Sequence, residues 1–521
     1  MNKRSVSLLL QTALLTLFVL VGAYLRLSNL RTNPGWYPDE GGNLNIAWNL
    51  WQGRLQLFAV GGSLLASPRG PLFYVILSSL FNVFGYDIAV ARTVTALAGC
   101  LTIPLLFFCF RRPIGKYQAL AAAGFFAIFP LAVLYNRLAF DYNLLMPLFV
   151  LSAWAFLQLI ETGRMRWMLI ASLFVALSVL TAWSALALVP CLLVVGWFYQ
   201  RRGLAWGLLL IGVVLSAYFL CLALYNWHAF AEDFLQTWLR GTGSLFSQVV
   251  YAVIGYFLFI ESNYWLMLGI IGLFLIEPPR VRALVMLIFF VTLFSVLRLP
   301  YSIAPELAFH RHLALVPFLA LGVAVFFFRA VPFGIQHVKQ DLNRLWTHWT
   351  PGRGEWLRQA LGRVGVPSFV YLIVIGILFW ALWTEMLNLS GQFPTPMDRV
   401  LASPPLDAIA AINYVNSVAR QDDVVITSPE LGWAVHAQVA DFQQTLSYQG
   451  FSTDNYPTPL DPARFMFDPT PANARYAIVD RMWTDWGVET VPSTKNLLKT
   501  ITAWDLVFQS HDFSVYRNPQ K

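Results

Sequence analysis

Long apolar runs separated by short polar segments fill the first three quarters of the chain. A membrane-spanning helix needs about 20 consecutive, mainly apolar residues. Eight runs have about this length, namely 6–27, 92–110, 117–135, 142–160, 204–225, 283–299, 312–328 and 368–388. The pattern therefore predicts an all-α polytopic membrane domain.

Two further runs are longer than one span. Residues 167–199 carry no charge, and as a single helix they would extend roughly 50 Å, which exceeds the thickness of the hydrocarbon core. We expect two short spans that meet near Trp183 and Ser184. Residues 249–276 contain Glu261 in their middle, and this run predicts an interfacial piece followed by one span.

The apolar run at 71–84 is too short to cross, and its length is typical of an interfacial or re-entrant helix. If it does not cross, most basic segments fall on one side: MNKR, RRPIGK, ETGRMR, QRRG, EPPRVR and 329–366. Because cytoplasmic loops are enriched in Lys and Arg, we predict eleven spans with a cytoplasmic N-terminus and an extracytoplasmic C-terminal part. The first apolar run is long for a signal peptide and lacks a clear A-x-A site, which favours an uncleaved span.

The pattern changes after residue 388. A linker rich in Pro and Ser precedes a helical pattern at 405–420, and β-branched stretches at 423–427, 476–480, 505–510 and 513–517 predict strands. We therefore predict two domains, a transmembrane domain over 1–388 and a small soluble α/β domain over 389–521. The predicted fold class is an all-α helical membrane domain with interfacial helices, followed by this α/β domain.

Composition agrees with a membrane protein, because 58% of the residues are hydrophobic and only 12% are charged. Residues 1–388 carry 26 Lys and Arg against 13 Asp and Glu, whereas residues 389–521 carry 9 against 14. The basic balance thus belongs to the membrane part and gives no reason to expect a nucleic-acid partner. The four cysteines all lie in apolar runs, where we expect small core residues rather than disulfides or metal ligands.

Asp39 and Glu40 stand side by side in the first predicted external loop. The segment NLNIAWNLWQG follows, and its apolar residues share one face at helical spacing, which predicts an amphipathic helix lying on the membrane. Arg69 stands at the other end of this loop, just before the short apolar run. Taken singly, the two acids are also explained as solvated loop charges, and Arg69 as a ligand of lipid phosphate.

Two more charged positions fall on the same predicted face. Asp141 stands at the mouth of the 142–160 span, where it is either a functional carboxylate or a plain helix cap. Arg311, between His310 and His312, begins a span from the outer side; it either serves a site or binds lipid phosphate. Metal binding by the two histidines is the less favoured interpretation. The shared side favours one functional site that combines both signs of charge.

The order of these motifs resembles that of the GT-C membrane glycosyltransferases, in particular the protein O-mannosyltransferase and lipid A aminoarabinose transferase group. The matching elements are Pro38-Asp39-Glu40, an amphipathic segment through Gly53, Arg69-Gly70-Pro71-Leu72, Phe84-Gly85, Arg92, Arg137 with Asp141, and Arg311 before Pro317-Phe318-Leu319-Ala320-Leu321. Two departures stand out: Gly41-Gly42 replace the aromatic usual after the acids, and Arg-Gly-Pro-Leu replaces Lys-Pro-Pro-Leu.

The resemblance implies an inverting transferase on the outer face of the plasma membrane, which moves a hexose or pentose from a polyprenyl-phosphate donor to a hydroxyl acceptor. Asp39 would be the general base, Asp141 would orient the acceptor or share that role, and Glu40 would position Asp39 or help to hold a metal.

The donor phosphate would be bound by Arg69 first, with Arg311 and Arg137 as further candidates. No Asp-x-Asp is present, so we expect no essential cofactor, with a divalent metal as the alternative. The expected partners are the lipid-linked donor, a lipid, protein or glycan acceptor, and membrane lipids.

Two other functions are compatible with a polytopic chain. A transporter or flippase of lipid-linked sugars would place charges near the bilayer midplane and show matched repeats. Here the charges cluster at one interface, with Glu261 as the main exception. A structural or assembly protein would not depend on Asp39 or Asp141.

Overall fold

The computed structural model describes residues 3–62, 70–239, 263–297, 311–329 and 403–521, together with four single positions between 373 and 380. Its N-terminal part contains, in chain order, α1 (Lys3–Leu27), α2 (Pro38–Trp51), α3 (Pro71–Phe84), α4 (Ile88–Phe110), α5 (Lys116–Ala127), α6 (Pro130–Asn136), α7 (Tyr142–Thr162), α8 (Met165–Thr181), α9 (Leu188–Tyr199), α10 (Arg201–Tyr225), α11 (Trp227–Leu239), α12 (Asn263–Phe274), α13 (Pro279–Leu297) and α14 (Arg311–Arg329). A hairpin of β1 (Gln56–Leu57) and β2 (Val60–Gly61) follows α2.

The chain is a multi-pass membrane protein. Within the described ranges, six helices are long and apolar enough to cross a membrane, namely α1, α4, α7, α10, α13 and α14, and the bent pair α5–α6 is a seventh candidate. The run 167–199 forms α8 and α9, joined by a 3-10 turn at Trp183–Ala187, as the sequence predicts. The predicted count of eleven spans stays a prediction, because 249–262 and most of 368–388 lie outside the described residues.

The basic segments that the sequence places on the inner side meet at one end of the bundle. Lys116 Nζ lies 3.2 Å from Ser7 Oγ, Gln200 donates to the Gly163 carbonyl at 2.8 Å, and Arg329 pairs with Glu277 at 2.7 Å. The first contact joins the start of α1, just after MNKR, to RRPIGK, and each of the other two joins two of the segments that the positive-inside rule assigns to the cytoplasm. These pairings agree with the prediction, and the side of the membrane on which the segments lie stays a prediction.

Helix α3 begins and ends at the opposite end of the bundle, so it does not cross. Just before it, the Gly70 amide donates to the Thr181 carbonyl at the far end of α8 (3.0 Å). Just after it, the Tyr86 ring contacts Trp433 of the C-terminal part, with a centroid distance of 5.7 Å. Both flanks lie at the same end, which agrees with a helix that does not cross, and its re-entrant or interfacial position stays a prediction.

The run 117–135, which the sequence predicts as one span, forms two helices that together remain a candidate span. The chain bends by 53° between α5 and α6, because Pro130 has no N–H to continue the hydrogen-bond ladder. The freed carbonyls of Phe126 and Ala127 accept hydrogen bonds from the buried Arg26 guanidinium at 3.0 and 2.6 Å. This is how a broken helix is tolerated away from water.

Helix α14 lies inside the bundle, since 83% of its apolar window is buried, against 11% in α1. Glycines let it approach α12 closely: a Cβ on Gly272 would lie 1.8 Å from the Gly322 carbonyl oxygen, and one on Gly322 would lie 2.0 Å from that of Gly269. Small residues at such crossings allow helix backbones to pack in membranes. The packing fixes the helix that starts at Arg311.

Residues 403–521, hereafter the C-terminal unit, form an α/β structure. The strands are β3 (Val424–Thr427), β4 (Gln438–Asp441), β5 (Ala474–Val479), β6 (Asp505–Ser510) and β7 (Phe513–Arg517), in the order β4-β3-β5-β7-β6. The helices are α15 (Pro405–Val418), α16 (Pro429–Gly432), α17 (Phe442–Tyr448), α18 (Val488–Thr490) and α19 (Thr494–Ile501). Four strands and α15 match the predicted segments, and β4 was missed. The predicted boundary at 388/389 lies outside the described residues.

Candidate functional site

The first turn of α2 carries the acidic pair. Tyr37 caps the helix with an extended backbone, and Pro38 occupies its first position, where the missing N–H costs nothing. The next two residues differ in exposure, because Asp39 is partly exposed whereas Glu40 is fully buried. The accessible carboxylate is therefore that of Asp39, as expected for a group that has to reach a substrate.

Glu40 is held by a buried arginine. Arg92 Nε and Nη2 donate to the two Glu40 oxygens at 2.7 and 2.6 Å, and both side chains are inaccessible to solvent. The remaining Arg92 N–H groups bind the carbonyls of Leu30, Pro34 and Gly35, so every donor of the guanidinium is used. The pair ties the start of α4 to α2 and to the loop after α1.

The same carboxylate fixes the loop that leads to Asp141. The amides of Ala139 and Tyr37 donate to Glu40 at 2.7 and 3.1 Å, and both carboxylate oxygens thus have protein donors. Asn43 adds a bond to the Ala139 carbonyl at 2.8 Å. Glu40 therefore positions two segments against each other, and its contacts support the positioning role over metal binding.

Asp141 lies two residues beyond Ala139, at the start of α7, and is 1% exposed. Its side chain makes no cap hydrogen bond to the helix, so the alternative of a plain N-cap is not supported. The ring of Phe140 packs edge-on against Tyr37 at 5.3 Å between centroids. The structure thus brings the segments of Asp39 and Asp141 together.

Arg137 begins this loop and is 3% exposed. Its terminal nitrogens donate to the carbonyls of Leu25, Ser28 and Asn33 at 3.1, 2.8 and 3.0 Å. These contacts hold the connection between α1 and α2. They give Arg137 a structural role, and its assignment to the donor phosphate stays a prediction.

The predicted helix is present as α2 and its polar face is covered by protein, whereas its position on the membrane stays a prediction. Asn45 Oδ1 accepts the Phe58 amide at 2.8 Å, and Asn49 donates to the Gln56 carbonyl at 3.2 Å. The β1–β2 hairpin therefore packs on the two asparagines, which lie opposite the apolar face of the helix. The most exposed residue of α2 is Trp51 at its end, which is 45% exposed.

The C-terminal unit packs directly on the first turn of α2. A Cβ on Gly41 would lie 1.9 Å from the carbonyl oxygen of Pro429 in α16. The same approach is supported by two backbone hydrogen bonds between Trp36 and Ser403 (2.9 and 3.0 Å). The close contact explains why glycine follows the acidic pair at this position.

Two buried carboxyl groups lie behind this contact. Burial raises the pKa of Glu430 well above its ordinary value, and the nearby Asp480 carboxylate raises it further. Burial also raises the pKa of Asp480 to about 6, although Ser428 and the Met482 amide donate hydrogen bonds to it. The docked C-terminal unit therefore contains two buried carboxyl groups that bind a proton more tightly than a carboxyl group in water.

The structure describes only some of the remaining predicted site residues. Arg69 and His310 lie outside the described residues. Arg311 is partly exposed at the start of α14, and His312 is buried. The structure therefore brings Asp39, Glu40 and the Asp141 loop together and leaves the cationic half of the site as a prediction.

Sequence reasoning recognised Arg92 as a motif residue and missed its pairing with Glu40. It also missed Arg26, whose Nε donates to Asn136 at 2.7 Å, while Asn136 donates to Asn143 at 2.6 Å. A signal was present, because an arginine next to an apolar run on the predicted outer side departs from the positive-inside trend.

Comparisons with known proteins agree with this geometry. A family model for dolichyl-phosphate-mannose-protein mannosyltransferases matches residues 68–227. Among solved structures, ArnT from Cupriavidus metallidurans bound to undecaprenyl phosphate matches with a TM-score of 0.66 and 16% identity, over 97% of this chain and 98% of that chain. AglB from Archaeoglobus fulgidus, in complex with an inhibitory peptide and a dolichol-phosphate, matches with a TM-score of 0.57 and 12% identity, over 98% and 74%. No curated protein sequence matches the chain significantly.

These findings show the fold of the molecule. The resemblance to the GT-C membrane glycosyltransferases is confirmed, and ArnT-like structure extends over nearly the whole chain. The segment matched by the family model contains Arg69, Arg92, Arg137 and Asp141 and begins after Asp39. The importance of Asp39 therefore depends on its motif and on the contacts described above.

Proposed function

We propose that the protein is an inverting glycosyltransferase that moves a sugar from a polyprenyl-phosphate donor to a hydroxyl acceptor on the outer face of the membrane. The observation that carries the proposal is the pairing of a partly exposed Asp39 with a buried Glu40 that binds the Asp141 loop. The lipid phosphates in the ArnT and AglB complexes support the class of donor.

The reaction needs a negatively charged base for the acceptor and a positive charge for the leaving phosphate. A hydroxyl acceptor is a weak nucleophile, so a base within hydrogen-bond reach has to remove its proton as the new bond forms. Asp39 takes this role because its carboxylate is accessible, and Asp141 orients the acceptor. Attack from the face opposite the phosphate inverts the configuration of the anomeric carbon.

The leaving group is a phosphate, which departs with little protonation and needs positive charge. Arg69 is the first candidate for this contact and Arg311 the second. We propose that no metal ion is essential, since both oxygens of Glu40, the residue considered as a ligand, already have protein donors. A chelator should then leave transfer unchanged, and loss of transfer restored by a divalent metal would contradict this point.

The test uses the purified protein with a radiolabelled polyprenyl-phosphate sugar and a membrane extract as the source of acceptor. Asp39→Asn should lower transfer by about 10²- to 10⁴-fold, the usual contribution of a general base. Asp87→Asn is the matched control, because Asp87 caps α4 in the same external loop (Ala89 amide, 2.8 Å) and asparagine also caps helices. Asp39→Asn turnover equal to that of the control would refute the assignment.

Two readouts complete the test. The product should carry the anomeric configuration opposite to that of the donor, and retention would contradict direct attack by the acceptor. A transporter or flippase would move the labelled lipid across vesicles without breaking the sugar–phosphate bond, so intact donor after turnover would favour that alternative.

A further inference from the structure

A cavity lies between α4 and α7, away from the candidate active site. Helix α4 starts beside the acidic pair, where Arg92 binds Glu40, and ends at Phe110 on the other side of the bundle. At that far end, a cavity of about 220 Å³ opens between the end of α4 and the last two turns of α7. Its lining includes Phe108, Arg111, Arg112, Trp154, Gln158 and Glu161. The cavity therefore does not belong to the site described above.

Two arginines bring positive charge to this cavity. The side chains of Arg111 and Arg112 are exposed, and neither guanidinium forms a hydrogen bond or an ion pair with the described residues. The Arg111 guanidinium carbon lies 5.8 and 5.2 Å from the ring centroids of Phe107 and Phe108, within the range of cation–π attraction. An arginine that lies on aromatic rings keeps its N–H groups available for an anion.

The balance of charge in the lining favours an anionic ligand. Glu161 is the one acidic residue of the lining, and its carboxylate accepts a weak hydrogen bond from Gln158 at 3.4 Å. Two guanidiniums and one carboxylate leave a net charge of +1. Because opposite charges attract more strongly near a low-dielectric surface than in bulk water, an anion is the ligand that this lining stabilises.

The surroundings of the cavity point to a lipid. Leu97, Leu101 and Phe108 are 52%, 54% and 51% exposed, and their spacing of four and seven positions places them on one face of α4. This apolar stripe leads to the cavity, because Phe108 belongs to both. Trp154 packs edge-on against Trp167, with 4.9 Å between ring centroids, and tryptophan is enriched at the level of lipid headgroups.

We propose that this cavity binds the headgroup of an anionic phospholipid, whose phosphate contacts Arg111 and Arg112 while an acyl chain lies along the stripe on α4. The volume agrees with a headgroup, since pockets that enclose a whole drug-sized ligand have roughly 300–1,000 Å³. The two arginines belong to a segment that the positive-inside rule assigns to the cytoplasmic side, where the leaflet is rich in anionic lipids. The inference goes beyond the proposed function and does not depend on it.

The experiment measures binding of phosphatidylglycerol to the purified full-length protein by native mass spectrometry, which resolves each bound lipid. A double variant with Arg111→Gln and Arg112→Gln should raise the dissociation constant of the tightest lipid roughly 25-fold, because one arginine near an anionic surface contributes about fivefold in affinity. The matched control is Arg202→Gln. Arg202 is exposed in another basic segment of the same predicted side and does not line the cavity, so its loss should leave the dissociation constant unchanged.

Three further measurements identify the ligand. Phosphatidylcholine has the same phosphate with a compensating positive charge, so it should bind equally weakly to the wild-type protein and to the double variant. Inorganic phosphate should not displace phosphatidylglycerol, because it lacks the acyl chain. Glu161→Gln removes the carboxylate of the lining and should strengthen binding of phosphatidylglycerol about fivefold.

Each measurement has a result that would overturn the inference. The double variant would bind phosphatidylglycerol like the Arg202→Gln control, or phosphatidylcholine would bind the wild-type protein as tightly as phosphatidylglycerol. Displacement by inorganic phosphate would assign the cavity to a soluble anion instead of a lipid. Binding that Glu161→Gln leaves unchanged or weakens would place the headgroup outside this cavity.

Discussion

Gly41 and Gly42 are adjacent in α2, yet alanine should have opposite effects at the two positions. A Cβ on Gly41 would lie 1.9 Å from the Pro429 oxygen and 2.8 Å from the Glu430 Cα. Ordinary contact begins at 3.4 Å, so the backbone of α16 would have to withdraw by about 1.5 Å, which costs about 1–3 kcal/mol when packing is tight. At Gly42 the nearest atom is Leu57 Cδ1 at 3.7 Å, an ordinary contact.

Both variants gain up to about 1 kcal/mol because alanine favours the helix over glycine. This gain cancels in the comparison, so Gly41→Ala should be less stable than Gly42→Ala by about 1–3 kcal/mol. The assay is thermal unfolding of both purified proteins, together with limited proteolysis that reports release of the C-terminal unit. Gly41→Ala should release it more readily and lose transfer activity. Equal stability and equal proteolysis of the two variants would refute the docking contact.

Three further predictions follow from other contacts. Glu40→Gln should lower the free energy of unfolding by about 3–5 kcal/mol, because it leaves the Arg92 charge buried without its partner. Thermal unfolding measures this loss. The control is Asp87→Asn, which removes an exposed ion pair with Arg31 (64% exposed) and should cost about 1 kcal/mol or less. Raised carboxyl pKa values at Glu430 and Asp480 mean that these two groups bind protons more tightly in the folded C-terminal unit than in the unfolded chain. The stability that they contribute should therefore be complete below about pH 4 and be lost as the pH rises through 6 and above. Glu430→Gln should flatten that pH dependence of the unfolding temperature, and an unchanged slope would contradict the buried pair. Asp141→Asn should lower transfer while the protein stays folded, and normal turnover would return Asp141 to a structural role.

Local patterns were sufficient for much of the fold. The apolar run at 71–84 coincides with α3, and the uncharged run at 167–199 breaks at Trp183 as its length requires. The segments PLDAIAAINYVNSVAR and FSVYR became α15 and β7. These elements were predictable because hydrophobic period, run length and turn residues act within a few positions. The bend at Pro130 was missed because the apolar run continues through it.

Only those site residues were predictable that stand out individually in the sequence. Asp39 and Asp141 stand out as charges in an apolar chain, but the separation of Asp39 from Glu40 depends on Arg92 and Ala139, which approach only in the fold. The reason for Gly41 lies at Pro429, near the other end of the chain. Contacts between distant segments leave no periodic trace in a single sequence, so the docking of the C-terminal unit could not be foreseen.

The central claim is that Asp39 is the base that activates the acceptor for transfer of a sugar from a polyprenyl phosphate. The most direct measurement follows both products in nanodiscs, the labelled acceptor and the released polyprenyl phosphate. We expect equal amounts of the two products from the wild-type protein and from Asp87→Asn, and about 10²- to 10⁴-fold less of both from Asp39→Asn. Two results would contradict the central claim. One is product formation by Asp39→Asn equal to that of the wild-type protein, and the other is movement of the labelled donor lipid across the membrane with no polyprenyl phosphate released.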